Sequence, residues 1–316
     1  MNTTFMNKLK EQLIVKRGIK PESADIYISN LERVHGYPFK NLTFLKNKQK
    51  VMSYINDLKT LSNKLNYLKA ISAVLKMYTQ DKKYVDEYAY YNKQMDELSE
   101  QQQEFNKLNK KTKNQTQNWM EWEEVIDRRE ELGKEFYSKL NESNNSWIDI
   151  WDTLLKYFII SLYTKIAPRR NKDFLHMYVV DKLEDDGNPS KNYLVKDSQE
   201  LVFNNYKTSQ RYGTQRISYD DNEPLKKLIN IYLKFHPLKN DKEFPLLVKY
   251  DGESLGTNSN SITYILNSVL GKKIGASLLR HIYLSSKYSD DLEAMKNDAH
   301  DMGHSLNQAR DYIKSS

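Results

Sequence analysis

The chain has 316 residues, enough for two domains of ordinary size, and 29% of its residues are charged while 39% are hydrophobic. It contains no cysteine, which excludes disulfides and thiolate metal sites. The formal net charge of +7 and the isoelectric point of about 9.0 favour an acidic partner, and nucleic acid is the commonest one.

Four short helices are predicted in residues 1–78. The opening residues, MNTTFMNKLKEQ, lack the apolar core of a secretory signal. We expect a first helix from Thr4 to Arg17 and a second that begins near Pro21 and ends at Gly36, followed by two more with apolar residues at helical spacing. Such helices bury their apolar stripes against one another. Their many lysines fit either a solvated surface or a face laid on DNA phosphates.

Residues 79–118 are polar and contain neither glycine nor proline. They predict a long exposed helix that frays into a linker near Lys110–Gln117. Its lysines suit a DNA backbone and a solubilising tether equally well. We therefore expect a helical domain in residues 1–78, a linker in 79–118 and a second domain in 119–316.

The second domain is predicted to be mainly α with a small antiparallel β-sheet. Its most apolar helix, SWIDIWDTLLKYFIISLYTKI, is expected at the centre of the core. The most apolar stretch, from about Trp151 to Ala167, is too short to span a membrane and carries Asp152, Lys156 and Lys165, so we expect a soluble, intracellular protein. β-Branched and aromatic residues between turn signals predict the sheet from about Leu175 to Ser218. Further helices are expected at Glu223–Phe235, Ser259–Leu270, Ser277–Lys287, Asp290–Met302 and Asn307–Lys314.

Three segments carry residue types that suit an anion site. Arg169 and Arg170 follow Pro168 directly after the most apolar helix. Arg280 lies in the apolar stretch SLLRHIYL, where an unpaired charge is costly and a partner is needed. The third segment is MGHS, followed by Tyr312. Taken singly, each also fits a surface arginine pair, an arginine paired to a carboxylate, or a structural histidine.

The order of these residues resembles the catalytic domain of tyrosine recombinases of the phage-integrase type. The first box of that family is an arginine followed three residues later by an acid, which matches Arg170 and Asp173, with Arg169 as a neighbour. The family's hairpin lysine matches Lys207 in NNYKTSQRYGTQRI. The helical N-terminal region is similar to the family's core-binding domain, so the resemblance covers nearly the whole chain.

The second and third boxes of the family match near the C-terminus. His-x-x-Arg-His corresponds to SLLRH, which runs from Ser277 through Arg280 to His281. Leu-Gly-His followed by the nucleophilic tyrosine corresponds to MGH, ending at His304, and then Tyr312.

Two departures from the family pattern affect what the resemblance implies. Ser277 replaces a histidine, and serine cannot carry a proton in the same way; the adjacent His281 is turned about 100° from Arg280 around a helix and is no automatic substitute. His304 and Tyr312 are eight residues apart, one fewer than is usual, and four residues follow Tyr312 where many relatives dock onto a neighbouring protomer. We therefore do not carry over the family's usual mode of assembly.

The resemblance implies cleavage and rejoining of double-stranded DNA through a 3′-phosphotyrosine intermediate. Tyr312 would attack the phosphodiester, Arg170 and Arg280 would hold its non-bridging oxygens, and His304 would hydrogen-bond the same phosphate. Lys207 would protonate the departing 5′ oxygen. Because the covalent bond is conserved for rejoining, no metal, ATP or other cofactor is expected. The expected partners are double-stranded DNA and further copies of the chain, as a dimer or tetramer on DNA.

Three other functions fit the sequence. A type IB topoisomerase-like enzyme would use the same nicking and closing chemistry without exchanging strands between duplexes. A catalytically degenerate relative would bind DNA without cutting it. An unrelated helical DNA-binding or scaffold protein would match the boxes by chance, which requires that the five principal residues do not meet within reach of one phosphate. Those residues are Arg170, Lys207, Arg280, His304 and Tyr312.

Overall fold

The computed structural model describes residues 3–80, 82–107, 110–142, 144–256 and 260–301. The chain divides into two compact units, Met1–Lys111 and Thr112–Ser316. Each unit has its own apolar core, and each is mostly helical. No helix within the described ranges combines the length and apolar character that crossing a membrane requires.

The first unit packs its helices around a core of leucine, isoleucine and valine side chains with a few aromatic rings. The four predicted helices are present. The second helix starts with Pro21 in its first turn and ends at Gly36, whose φ of +96° lets its N–H reach the carbonyl oxygen of Glu32 at 2.8 Å. The helices are α1 (Thr3–Arg17), α2 (Pro21–His35), α3 (Lys48–Asn56), α4 (Leu61–Leu75) and α5 (Val85–Lys107).

Helix α5 differs from the exposed linker helix predicted for residues 79–118. Tyr91 is fully buried and donates a hydrogen bond of 2.8 Å to the carbonyl oxygen of Leu45, and Tyr88 and Met95 pack against the same core. A narrow apolar stripe is enough to dock a helix whose overall composition is polar. The helix is therefore part of the first unit, and the division between units follows Lys111.

The second unit is built around the apolar helix predicted from the sequence. Ser146 caps this helix, α8, by accepting a hydrogen bond from the backbone N–H of Asp149 at 3.2 Å. Its helices are α6 (Lys113–Asn118), α7 (Trp122–Asn141), α8 (Trp147–Thr164), α9 (Asn171–Leu175), α10 (Ser209–Tyr212), α11 (Glu223–Phe235), α12 (Asn260–Leu270) and α13 (Ala276–Asp301).

A five-stranded sheet covers one side of this core. Its strands are β1 (Met177–Val180), β2 (Asn192–Val195), β3 (Glu200–Phe203), β4 (Gln215–Ser218) and β5 (Glu243–Pro245), in the order β4-β3-β2-β1-β5. Alternate residues face opposite ways, so Leu194 packs on the helices while Tyr193 and Val195 join a smaller cluster on the other face.

The sheet is mixed, so the predicted antiparallel sheet is wrong in this respect. Strands β1 and β2 pair in parallel, and the other neighbouring strands are antiparallel. Residues 181–191 contain the turn signals that predicted a hairpin, but a segment of this length can also return the chain to start a parallel strand. Strand β5 was not predicted, because three residues are too few to show an alternating pattern.

The helices after the sheet follow the prediction with one correction. Helix α11 has the predicted bounds, and α12 begins at Asn260. Two helices were predicted at Ser277–Lys287 and Asp290–Met302, but α13 continues from Ala276 to Asp301. The intervening Tyr288 and Ser289 are weak helix formers and do not break the hydrogen-bond ladder as glycine or proline can. The helix predicted at Asn307–Lys314 lies outside the described residues.

Candidate functional site

A cleft of about 250 Å³ opens in the second unit, beside the turn between α8 and α9. The β3–β4 connection forms another wall, and the first turns of α13 contribute one arginine. We call this space the arginine cleft. It is lined by Pro168, Arg169, Arg170, Asp173, Tyr206, Thr208, Tyr212, Gln215 and Arg280.

Arg169 is firmly held in one wall of the arginine cleft. Its Nε donates to Oδ2 of Asp173 at 3.1 Å, and its Nη1 donates to Oε1 of Gln215 at 2.9 Å. The guanidinium carbon also lies 3.7 Å from the ring centroid of Phe203. Burial lowers the pKa of Arg169, and the attraction of Asp173 opposes this effect without cancelling it. The charge of Arg169 is thus paired with Asp173, and its guanidinium is held in place by Gln215 and Phe203.

Asp173 is almost fully buried and is the acidic member of the arginine cleft. Burial raises the pKa of its carboxyl, and the positive charge of Arg169 lowers it by a smaller amount. Its Oδ1 is buried without a hydrogen-bond partner in the described part of the chain. The carboxylate therefore has one oxygen committed to Arg169 and one oxygen unsatisfied.

Arg170 and Arg280 are the less compensated cations of the arginine cleft. Arg170 immediately precedes α9, and Arg280 projects from α13, where its Nε donates to the carbonyl oxygen of Ala276 at 3.2 Å. Across the described ranges, neither guanidinium forms an ion pair with a carboxylate. Burial and then the charge of Arg170 lower the pKa of Arg280, and Asp173 offsets only part of this repulsion. Two like charges are therefore held close together in a half-buried site.

A chain of buried hydrogen bonds holds α9 beneath these arginines. The hydroxyl of Tyr163, in α8, donates to Oδ1 of Asn171 at 2.7 Å. The amide of Asn171 in turn donates to Oγ1 of Thr263, in α12, at 2.8 Å. Burial raises the pKa of Tyr163 far above its ordinary value, so it remains a neutral donor. The turn that carries Arg170 is therefore anchored to two core helices.

The structure brings together some of the residues predicted for the site. Arg169, Arg170, Asp173 and Arg280 line the arginine cleft. Lys207 lies on the β3–β4 connection between two lining residues, and its own side chain is exposed.

The accessory residues of the second box lie apart from the arginine cleft. Ser277 and His281 are exposed on the first turns of α13, and neither lines the cleft. Ser277 is one helical turn before Arg280, and His281 is directed to another side of the helix. The predicted hydrogen-bond donor His304 and nucleophile Tyr312 lie outside the described residues.

Four lining residues were not singled out from the sequence. They belong to the segment NNYKTSQRYGTQ around Lys207, where aromatic, hydroxyl and amide side chains occur in a polar stretch. The hydroxyl of Tyr206 donates to the carbonyl oxygen of Gly213 at 2.7 Å, which closes the loop upon itself, and Gly213 has a φ of +65° before β4 begins. The residues missed are Tyr206, Thr208, Tyr212 and Gln215.

The arginine cleft combines three guanidinium groups with one carboxylate, so it carries excess positive charge. Planar guanidiniums with free donors suit the paired oxygens of a phosphate or carboxylate ligand. Within the described ranges, no group of three or more histidine, aspartate or glutamate side chains is arranged to hold a metal ion. Comparisons of the chain with protein-family models, with curated proteins and with solved structures find no match.

Proposed function

We propose that this chain is a site-specific DNA recombinase or integrase of the tyrosine type, which cleaves and rejoins double-stranded DNA with Tyr312 as nucleophile. The observation that carries the proposal is that Arg170 and Arg280 line one cleft, and that neither guanidinium forms an ion pair with a carboxylate of the described residues. These two arginines come from separate segments of the sequence, which match two different boxes of the tyrosine recombinase family.

The electrostatics of the arginine cleft support a phosphate ligand. A half-buried cation is destabilising unless it is paired, and two neighbouring cations increase that cost. A phosphodiester would relieve both charges, and it would do so most strongly in the transition state, when charge accumulates on the non-bridging oxygens. Arg169 is less suited to this role, because its charge is already paired with Asp173 and its Nη1 donates to Gln215.

The proposed cleavage step is an in-line displacement at phosphorus. The phenolic oxygen of Tyr312 forms a bond to phosphorus while the bond from phosphorus to the 5′ oxygen breaks. Lys207 delivers a proton to the departing 5′ oxygen, and the phenolic proton passes to solvent. Rejoining reverses these steps, so the phosphodiester energy is retained in the phosphotyrosine bond. Arg170 and Arg280 hold the phosphate throughout.

Covalent trapping tests the proposal. The protein is incubated with supercoiled, nicked and branched duplexes, quenched with detergent, and assayed for DNA-linked protein. We expect an adduct with the wild type and with Tyr264→Phe, which alters an exposed tyrosine of α12, and no adduct with Tyr312→Phe. An adduct that persists in Tyr312→Phe would contradict the assignment of the nucleophile.

The same reactions separate the related functions. A product in which strands are exchanged between two duplexes indicates a recombinase, whereas a relaxed circle without exchange indicates a topoisomerase-like enzyme. Tight, salt-sensitive DNA binding with no adduct on any substrate indicates a relative that binds without cutting.

A further inference from the structure

Asn192 occupies a buried position between the two chain segments that carry the proposed phosphate clamp and the proposed acid. It is the first residue of β2, and its side chain is completely shielded from solvent. Its Nδ2 donates to the carbonyl oxygen of Asp173 at 2.8 Å and to that of Asn205 at 3.1 Å. Its Oδ1 accepts from the backbone N–H groups of Asn204 at 2.9 Å and Asn205 at 2.8 Å.

These four bonds use both donors and both lone pairs of the amide, so only asparagine meets every requirement at this point. Aspartate would lose the two donors, and an apolar residue would leave four backbone groups unpaired. A buried side chain with this complete set of partners is held in one orientation. It therefore transmits the position of one neighbouring segment to the other.

The two segments are those that matter for cleavage. Asp173 belongs to α9, and its backbone N–H bonds to the carbonyl oxygen of Arg170 at 2.9 Å. Asn205 lies two residues before Lys207, at the start of the β3–β4 connection whose residues Tyr206 and Thr208 line the arginine cleft. The side-chain amide of Asn192 thus connects, through hydrogen bonds, the turn that carries Arg170 and the loop that carries Lys207.

We propose that Asn192 is a positioning residue for the cleavage step, which sets the loop of Lys207 relative to the Arg170–Asp173 turn. The inference rests on the proposed function. Asn192 does not touch DNA; it aligns the proton donor with a phosphate held by the arginines. A misplacement of about 1 Å in such a group can slow a reaction about a hundredfold.

A substrate with sulfur in place of the departing 5′ oxygen distinguishes positioning from a general structural role. A thiolate, with a pKa of roughly 8.5 for an ordinary thiol, leaves without protonation, whereas an alkoxide does not. The ratio of the cleavage rates of the sulfur and oxygen substrates therefore measures how much the proton donor contributes. Because one protein preparation cleaves both, a smaller folded fraction lowers both rates equally and leaves the ratio unchanged.

The experiment uses the full-length chain, a duplex that the wild type cleaves, and single-turnover formation of the covalent adduct. Lys207→Ala is expected to raise the sulfur-to-oxygen ratio about a hundredfold, by slowing only the oxygen substrate. Asn192→Ala should raise the ratio at least about tenfold. Asn192→Asp keeps the acceptor toward the loop amides but cannot donate to Asp173, and it should raise the ratio even if Asn192→Ala folds poorly.

The control is Tyr232→Phe, which removes a buried hydrogen bond elsewhere in the same unit and should leave the ratio at its wild-type value. Equal loss of both rates in the Asn192 variants, with a wild-type ratio, would overturn the inference and leave the proposed function intact. A wild-type ratio in Lys207→Ala would overturn it together with the acid role of Lys207. Failure of the proposed function is separate, because the wild type would then form no adduct on either substrate.

Discussion

Two regions of the second unit differ in whether their buried polar groups have hydrogen-bond partners. The aromatic cluster is formed by Trp151, Phe158, Tyr232, His236 and Phe244. Tyr232 stacks on Phe158 with ring centroids 3.8 Å apart, and its hydroxyl donates to the carbonyl oxygen of Leu246 at 2.8 Å. The indole N–H of Trp151 donates to the carbonyl oxygen of Val248 at 3.3 Å. The polar atoms of these rings thus have partners.

The arginine cleft leaves its polar groups incompletely satisfied. Asp173 has a buried oxygen without a partner in the described chain, and burial together with repulsion from Arg170 lowers the pKa of Arg280. An apolar or fully paired arrangement would be more stable. The aromatic cluster therefore stabilises the fold. In the arginine cleft, by contrast, repulsion between Arg170 and Arg280 remains, and an anionic ligand would reduce it.

The largest expected effect is on catalysis, from removing either uncompensated arginine. Arg170→Ala and Arg280→Ala should each slow adduct formation by about 100- to 1000-fold, because in the proposed mechanism each guanidinium stabilises the charge that develops on the phosphate. Neither should lower the unfolding midpoint, since each relieves repulsion. Adduct kinetics and thermal denaturation measure the two effects. A clear loss of stability in both variants would show that these arginines stabilise the fold, as the aromatic cluster does.

Arg169→Ala should lower the stability of the fold, in contrast to Arg170→Ala. It removes the partner of a buried carboxylate and the contact with Phe203, so we expect the free energy of unfolding to fall by about 3 kcal/mol. Urea denaturation of Arg169→Ala beside Arg170→Ala tests this. Adding Asp173→Asn to Arg169→Ala should recover part of the loss, and no recovery would mean that packing alone explains it.

The sequence predicted the helices better than the sheet, for physical reasons. Helix α11 was predicted with its observed bounds, because its apolar stripe is regular and Pro224 lies in its first turn. Parallel pairing of β1 and β2 could not be predicted, because residues 181–191 specify local turns and not the edge that β2 joins. The sequence predicts an exposed linker helix where α5 lies, because the docking of α5 depends on few residues such as Tyr91.

The candidate site could be predicted only in part. The resemblance selected Arg170, Asp173 and Arg280, which line one cleft. It could not tell which of the adjacent Arg169 and Arg170 pairs with Asp173, because that depends on side-chain direction. The buried role of Asn192 was also not predictable, since an asparagine beside a strand is indistinguishable from a turn residue until its partners are located.

The pH dependence of stability offers a sharper test of the aromatic cluster. Burial lowers the pKa of His236 to about 4 from its ordinary 6.5. Leu246 O can only accept from Nε2 and Leu238 N–H can only donate to Nδ1, so the folded protein holds the neutral ring. Between these pH values the unfolded chain binds more protons. The contribution of neutral His236 to stability is therefore fully present above pH 6.5. The free energy of unfolding should fall by at most about 3 kcal/mol as the pH falls toward 4.

The control for this titration is His236→Gln, which has no ionisable ring. Its stability should be lower than that of the wild type at pH 7, and the difference between the two proteins should shrink as the pH falls from 6.5 toward 4. Urea denaturation at several pH values measures this difference. A constant difference across the range would show that the pKa of His236 is the same in the folded and unfolded states, which would contradict the lowering that burial causes.

The smallest expected effect comes from a single hydroxyl of the aromatic cluster. Tyr232→Phe keeps the stacking on Phe158 and removes only the donor to Leu246, whose oxygen still accepts from His236. We therefore expect the free energy of unfolding to fall by about 1 kcal/mol, with adduct formation unchanged. Tyr264→Phe makes the same chemical change at a side chain that is 70% exposed, and it should cost nothing measurable. Equal effects of the two variants would mean that the buried hydroxyl contributes no more than a solvated one, and that Tyr232 stabilises the aromatic cluster through ring packing alone.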